Sequence, residues 1–276
     1  MTTTISVAEL NDYIRSGKRI VVIDARWARD ETSYSSYTRA HIPLAAFCNP
    51  PFDLVGVPSR EAGRNPLPHI DRVEEAVRRW GIRDDSHVIV YDSGDGLFAA
   101  RAWWILKWAG ISNVQVLTGG LRAWDEAEYG TSFGPGNLPQ TGNAHVSPNN
   151  MPVVEVEEVL TWSTHGVLID AREEDRYIGR RERVDLQAGH IPGAINLPAR
   201  SLQTPAGDFL PPEQLRQKLG EAGIHEGVDV AVYSGSGLHA SIFVQAMEEA
   251  GLPIPAHYVG GWSQWAGDPT LPIVRL

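Results

Sequence analysis

The chain alternates short runs of apolar residues with stretches whose apolar positions recur every three or four residues. Residues 20–23, 88–91 and 114–117 are short, β-branched runs in the first half. Residues 167–169, 230–233 and 257–259 stand in the same places in the second. Runs of this kind, without regular apolar–polar alternation, predict strands covered on both faces, as in a parallel sheet. Helical patterns lie between them. Asp71 is the predicted cap of a helix in which Val73, Val77 and Trp80 share one face and which Gly81 stops. Pro211 and Pro212 open a helix carrying Leu215 and Leu219, ending near Gly220 or Gly223. Each Val-Tyr strand leads through a glycine-containing turn into a helix, 97–109 or 238–250, closed by Gly110 or Gly251. This order predicts the α/β class, with a central, mostly parallel sheet flanked by helices in each half.

The two halves are copies of one plan. Val21-Val22-Ile23-Asp24-Ala25-Arg26 returns as Val167-Leu168-Ile169-Asp170-Ala171-Arg172, and His41-Ile42-Pro43 returns as His190-Ile191-Pro192. Val90-Tyr91 returns as Val232-Tyr233, and Gly119-Gly120 with Trp124 as Gly260-Gly261 with Trp265. Four blocks in the same order, with only slightly drifting offsets, indicate tandem domains. Between them, residues 131–152 hold four prolines, three glycines and four asparagines, and no Asp, Glu, Lys or Arg. That composition suits an extended connector. The expected domains are therefore residues 1–130 and 153–276, with 131–152 as linker.

Length and charge narrow the partners. A chain of 276 residues accommodates two ordinary domains. A formal net charge of -10 disfavours a nucleic-acid partner. No stretch approaches the roughly 20 apolar residues of a membrane helix, and the N-terminus lacks a basic region followed by an apolar run. A cytoplasmic location without membrane association is the expectation. A single cysteine, Cys48, excludes an intrachain disulfide and any multi-cysteine metal site.

In open α/β sheets, ligands bind beyond the carboxyl ends of the strands. The candidate loop is therefore Val232-Tyr233-Ser234-Gly235-Ser236-Gly237-Leu238-His239-Ala240. Gly235 and Gly237 permit a tight curl that turns N–H groups inward, and the following helix adds its positive end. The predicted product is a cradle for an anion or an anionic nucleophile. The first-half loop, Tyr91-Asp92-Ser93-Gly94-Asp95-Gly96, is one residue longer and carries two carboxylates. It is expected to repel anions and to be catalytically silent, with Asp92 capping the next helix.

The repeat, the Asp-Ala-Arg strand ends and the His-Ile-Pro blocks resemble the tandem-domain rhodanese-family sulfurtransferases. So do Leu117-Thr118-Gly119-Gly120-Leu121-Arg122-Ala123-Trp124 and Gly260-Gly261-Trp262-Ser263-Gln264-Trp265, and the resemblance covers nearly the whole chain. It implies two rhodanese-like domains and transfer of sulfane sulfur from an anionic donor, thiosulfate or 3-mercaptopyruvate, to a thiol or cyanide acceptor. No cofactor is implied. The family's cysteine nucleophile falls on Ser234. The Gly-Ser-Gly that follows is similar to the mercaptopyruvate branch, in which Ser236 matches a serine that assists the chemistry. Gly235, Gly237, Leu238 and His239 complete the implied anion-binding loop, His239 replacing the family's usual threonine. Arg176 matches a substrate-anion-binding arginine, Arg183 a second, and His41 a first-domain histidine that reaches the site. Plainer roles stand beside these. Arg176 could pair with Glu173 or Glu174, Arg183 could be a solvated side chain, and Ser236 a turn residue. His41, like His190, could simply close the turn before its proline. Asp24 and Asp170 are expected to bond neighbouring backbone N–H groups, and the tryptophans to pack in the core.

Serine changes the implied chemistry. In the family reaction a thiolate attacks the donor's sulfane sulfur, holds it as a persulfide and passes it on. A cationic cradle lowers a thiol's pKa from about 8.5. Serine is a much weaker acid, and oxygen forms no stable analogue of a persulfide. Transfer through Ser234 is therefore expected to be absent or impaired, and Cys48 is expected to be a small buried hydrophobe, not a substitute. Three explanations stay open: a Cys-to-Ser substitution made to trap substrate, a natural member that binds a small anion or protein partner without turnover, or a different reaction at serine. The G-x-S-x-G pattern of a serine hydrolase is not met, since no glycine stands two residues before Ser234. A phosphatase of the related fold would also need a cysteine.

Overall fold

The apolar runs become two sheets whose named strands all pair in parallel. The computed structural model describes residues 2–28, 33–136 and 139–276, so Asn137 and Leu138 of the expected linker lie outside the described residues. The chain divides into two compact units. The first comprises Met1–Val55, Pro68–Asn150 and Ala206–Asp208, the second Gly56–Leu67, Met151–Pro205 and Phe209–Leu276. The second unit thus includes a twelve-residue segment encoded in the first half of the sequence.

The first unit runs β1 (Thr4–Ile5), α1 (Val7–Arg15), β2 (Ile20–Asp24), α2 (Ser33–Arg39), β3 (Ala45–Phe47), α3 (Pro50–Asp53), α4 (Ile70–Arg79), β4 (His87–Tyr91), α5 (Leu97–Trp108), β5 (Val114–Leu117) and α6 (Gly120–Glu126). Its sheet order is β1-β5-β4-β2-β3. The second unit runs α7 (Val156–Trp162), β6 (Val167–Asp170), α8 (Glu174–Tyr177), β7 (Ile195–Asn196), a 3₁₀ turn at Ala199–Leu202, α9 (Pro212–Glu221), β8 (Val230–Tyr233), α10 (Leu238–Glu249), β9 (Ala256–Tyr258) and α11 (Gly261–Trp265). Its order is β7-β6-β8-β9. The central strands β4 and β8 are almost wholly buried, as continuous apolar runs require.

Two local expectations are corrected. The strand expected at residues 257–259 is Ala256–Tyr258. Asp71 is not the cap of α4: His69 holds that position, and its Nδ1 accepts the Asp71 N–H at 3.4 Å. Asp71 lies inside the first turn, where a carboxylate still complements the helix dipole. Val73, Val77 and Trp80 are buried together as predicted, as are Trp103, Trp104, Trp108 and Cys48.

The repeated motifs have one physical cause. Asp170, ending β6, takes the Arg172 backbone N–H at 3.0 Å and its guanidinium at 2.6–3.0 Å. It also accepts the Tyr233 hydroxyl at 2.7 Å, and that hydroxyl in turn accepts the Ile191 N–H at 3.2 Å. Arg172 donates onward to the Gly189 carbonyl at 2.7 Å. In the first unit Asp24, Arg26, Tyr91 and Ile42 repeat the arrangement, with Arg26 reaching the Ala40 carbonyl. Each network ties together three chain segments just below a strand-to-helix loop. Its members are almost fully buried, so each needs its partners. Among the described residues, no helix is long and apolar enough to cross a membrane.

Candidate anion site

In both units a glycine pair lets the last short helix close on the loop. Trp262 and Ser263 donate backbone N–H bonds to the carbonyls of Ser234 and Gly235 at 2.8 and 2.9 Å. Leu121 and Arg122 do the same to Asp92 and Ser93 at 2.9 and 3.3 Å. Gly261, at φ 56°, and Gly120, also at φ 56°, sit so close to these carbonyls that a Cβ would collide with the Ser234 or Asp92 oxygen. The frame that holds the loop is therefore the same in both units.

What lies inside the frame differs. In the first unit the Asp92 carboxylate turns back into its own loop. Its Oδ1 accepts the N–H groups of Gly94 and Gly96 at 2.9 and 3.0 Å, and its Oδ2 those of Phe98 and Ala99 at 3.2 Å each. Four amides converge on one buried anion, two of them in the first turn of α5. Burial and the neighbouring Asp95 push Asp92 up to about 7, against the pull of those amides. In the second unit Ser234 occupies the corresponding position after the tyrosine. It is 0% exposed, and its Oγ has no hydrogen-bond partner among the described residues. A buried hydroxyl without a partner costs about 1–3 kcal/mol. Seven residues on, the buried Ser241 hydroxyl does have a partner, the Gly237 carbonyl at 2.8 Å.

Two arginines stand over the Ser234 loop. Arg176, on α8, gives Nη2 to Glu182 and to Asp185 at 2.8 Å each. It does not pair with Glu173 or Glu174, which are exposed. Arg64 pairs through Nη1 with the same Asp185. The carboxylates are buried, at 5% and 3% exposure, and Glu182 Oε1 accepts the N–H groups of residues 183–185 at 2.9–3.0 Å. They fix the guanidiniums from one side. On the other side, a Cβ added to Gly235 would lie 3.0 Å from Arg176 Nη1 and 3.2 Å from Arg64 Nη2, so a larger residue would press on both guanidiniums. Burial and the Arg176 charge bring Arg64 down to about 10, against the pull of the Glu182 carboxylate. Asn65 Nδ2 donates to Ser236 Oγ at 3.0 Å and to its carbonyl at 3.2 Å.

The structure thus gathers Ser234, Gly235, Ser236, Gly237 and Arg176. Leu238 and His239 are half-buried in the first turn of α10. Arg183 is exposed and contributes its backbone N–H to Glu182. His41 belongs to the first unit, where it is buried, stacked on Tyr37 at 4.2 Å with Nδ1 at the Tyr37 carbonyl. His190 makes the same arrangement with Tyr177, at 3.7 Å. Sequence reasoning missed Arg64, Asn65, Glu182 and Asp185. The one available signal was the aperiodic stretch before α4, too long for a simple connection.

Two α/β units of one plan, each with a glycine-containing loop joining its central strand to the next helix, define a protein of duplicated domains. The chain belongs to the rhodanese-like family, whose domain model matches residues 6–127 and 155–268. It is 39% identical over 277 residues to "Putative thiosulfate sulfurtransferase SseB" of Mycobacterium tuberculosis, covering 98% of this chain and 96% of that one. It is 37% identical to "Probable 3-mercaptopyruvate sulfurtransferase" of Pseudomonas aeruginosa, covering 92% of each. The crystal structure of SseA from Escherichia coli, titled for 3-mercaptopyruvate sulfotransferases, superposes with a TM-score of 0.82 at 29% identity. That match covers 95% of this chain and 100% of SseA.

Proposed function

We propose that the second unit is a sulfurtransferase-type donor site that binds a small anionic sulfur compound but carries no sulfur itself. The observation that carries this reading is the Ser234 hydroxyl, buried and unpartnered where the first unit seats a carboxylate on four amides. The names of the relatives support thiosulfate or 3-mercaptopyruvate as the anion class. A cysteine at position 234 would attack the sulfane sulfur and break its bond to sulfite or to the pyruvate carbon. It would then yield that sulfur to cyanide or a thiol and be regenerated as thiolate. Ser234 reaches neither step, because its hydroxyl stays protonated and an oxygen–sulfur adduct is no persulfide. In this reading Gly235, Gly237 and the start of α10 cradle the anion, Arg176 binds its head group, and Ser236, held by Asn65, faces the donor. The first unit, its cradle filled by Asp92, is catalytically silent.

The test is thiocyanate formation from thiosulfate and from 3-mercaptopyruvate with cyanide as acceptor. The chain as it stands is expected to be inactive or nearly so, and Ser234→Cys to gain at least about a hundredfold. Turnover by the serine chain as fast as by Ser234→Cys would overturn the proposal. A Ser234→Cys chain that binds the anion yet stays inert would favour a binding module outright.

A further inference from the structure

We infer that Arg64, delivered by the segment Gly56–Leu67, is a donor-recognition residue, forming with Arg176 a two-guanidinium clamp for the donor's oxyanion head. The inference rests on the donor-site reading above and specifies how that site selects its ligand. The geometry begins with Asp185. This buried carboxylate accepts from Arg64 on one oxygen and from Arg176, at 2.8 Å, on the other. Both guanidiniums are thereby held with one edge toward acid. Their remaining terminal nitrogens, Arg64 Nη2 and Arg176 Nη1, converge on the same point above Gly235, within 3.0–3.2 Å of where a Cβ would be.

Two like charges crowd one point at a cost, which an anion between them offsets. Each guanidinium presents a fixed donor, so the pair reads a head group with at least two acceptor oxygens, a sulfonate or a carboxylate. The segment is anchored for this task. Arg64 N–H donates at 3.0 Å to the Oγ of Ser263, whose own N–H clamps the loop, and Asn65 donates to Ser236. Arg60 bonds the Gly267 carbonyl. One short segment therefore touches both the loop and the helix that frames it. Arg183 is exposed, and its backbone N–H donates to Glu182.

Calorimetric titration of the full chain with thiosulfate, sulfite and pyruvate tests the clamp. Arg64→Ala and Arg176→Ala are each expected to weaken the anion that binds by about tenfold or more, equivalent to about 1.4 kcal/mol. Arg64→Gln, which keeps a donor for Asp185 but removes the charge, serves if the alanine chain fails to fold and is expected to lose as much. Arg64→Lys should recover part of the loss, whereas a merely structural arginine would leave affinity unmoved in every folded variant. The thiosulfate and pyruvate arms separate a sulfonate head from a carboxylate. Wild-type affinity in a folded Arg64→Gln chain, beside a weakened Arg176→Ala, overturns the role of Arg64 and leaves the donor site standing. Failure of all three anions to bind the wild-type chain overturns both.

Discussion

Two buried serines of the second unit should respond in opposite directions to the same substitution. Ser234 and Ser241 are each 0% exposed. The Ser241 hydroxyl donates to Gly237 O at 2.8 Å, while Ser234 Oγ lacks a partner. Replacing Ser241 by Ala loses one bond whose acceptor is still served by the Ser241 backbone N–H at 3.0 Å, so the expected loss is about 0.5–1 kcal/mol. Replacing Ser234 by Ala removes a buried hydroxyl that nothing satisfies. The relief is about 1–3 kcal/mol, less a smaller penalty for the vacated atom, leaving a net gain of about 1 kcal/mol. Urea unfolding of the full chain, with hydrogen exchange assigning the change to the second unit, measures both. A saturating oxyanion should narrow the Ser234→Ala advantage, because it accepts from the serine hydroxyl and so binds and stabilises more strongly the chain that offers one. A loss of 1 kcal/mol or more for Ser234→Ala in anion-free buffer would refute the reasoning, since the hydroxyl would then be bonded in the folded protein.

Two further outcomes concern the first unit. Asp92→Ala strips the acceptor from four amides, and hydrogen exchange at residues 94–99 should accelerate with a stability loss of about 2 kcal/mol or more; unchanged exchange would show that the amides have other partners. Burial holds the pKa of His87 below its ordinary 6.5, only partly offset by its contact with Gln115. The folded state therefore takes up this proton later than the unfolded one. The stabilisation is full above about pH 6.5 and is lost as pH falls below it. His87→Gln should flatten the dependence of the first unit's urea midpoint between pH 7.5 and 5, and an unaltered slope would count against the assignment.

The class, the duplication and the position of the loop were legible because the motifs that repeat are those that must. The Asp170, Arg172 and Tyr233 side chains form one buried network that also takes the Ile191 backbone N–H, and none of the three can change alone without leaving a polar group unpaired. β1, β3 and β7, at two or three residues each, are too short to leave a pattern. Arg176 points toward Glu182 and Asp185, and not its sequence neighbours, because α8 is a single turn whose flanking acids are exposed. Arg64 was beyond reach for a different reason. Its role depends on which unit a loop joins, and neither periodicity nor spacing records that.

On the proposed reading, the contrast between the two loops is what makes serine at position 234 compatible with binding without turnover. A cradle of converging amides requires an acceptor with several lone pairs. Asp92 supplies two oxygens from within the chain, in a loop one residue longer than its counterpart, and so closes its site. Serine cannot do so. Its single short hydroxyl has two lone pairs and a proton of its own to place, and among the described residues it has no hydrogen-bond partner. On the proposed reading the Ser234 loop takes its acceptor from an outside anion, and Arg64 Nη2 and Arg176 Nη1 both lie beside Gly235. On that reading a hydroxyl in place of a thiol removes the covalent step but not the electrostatic reason for an anion to bind, and an aspartate at position 234 would remove both.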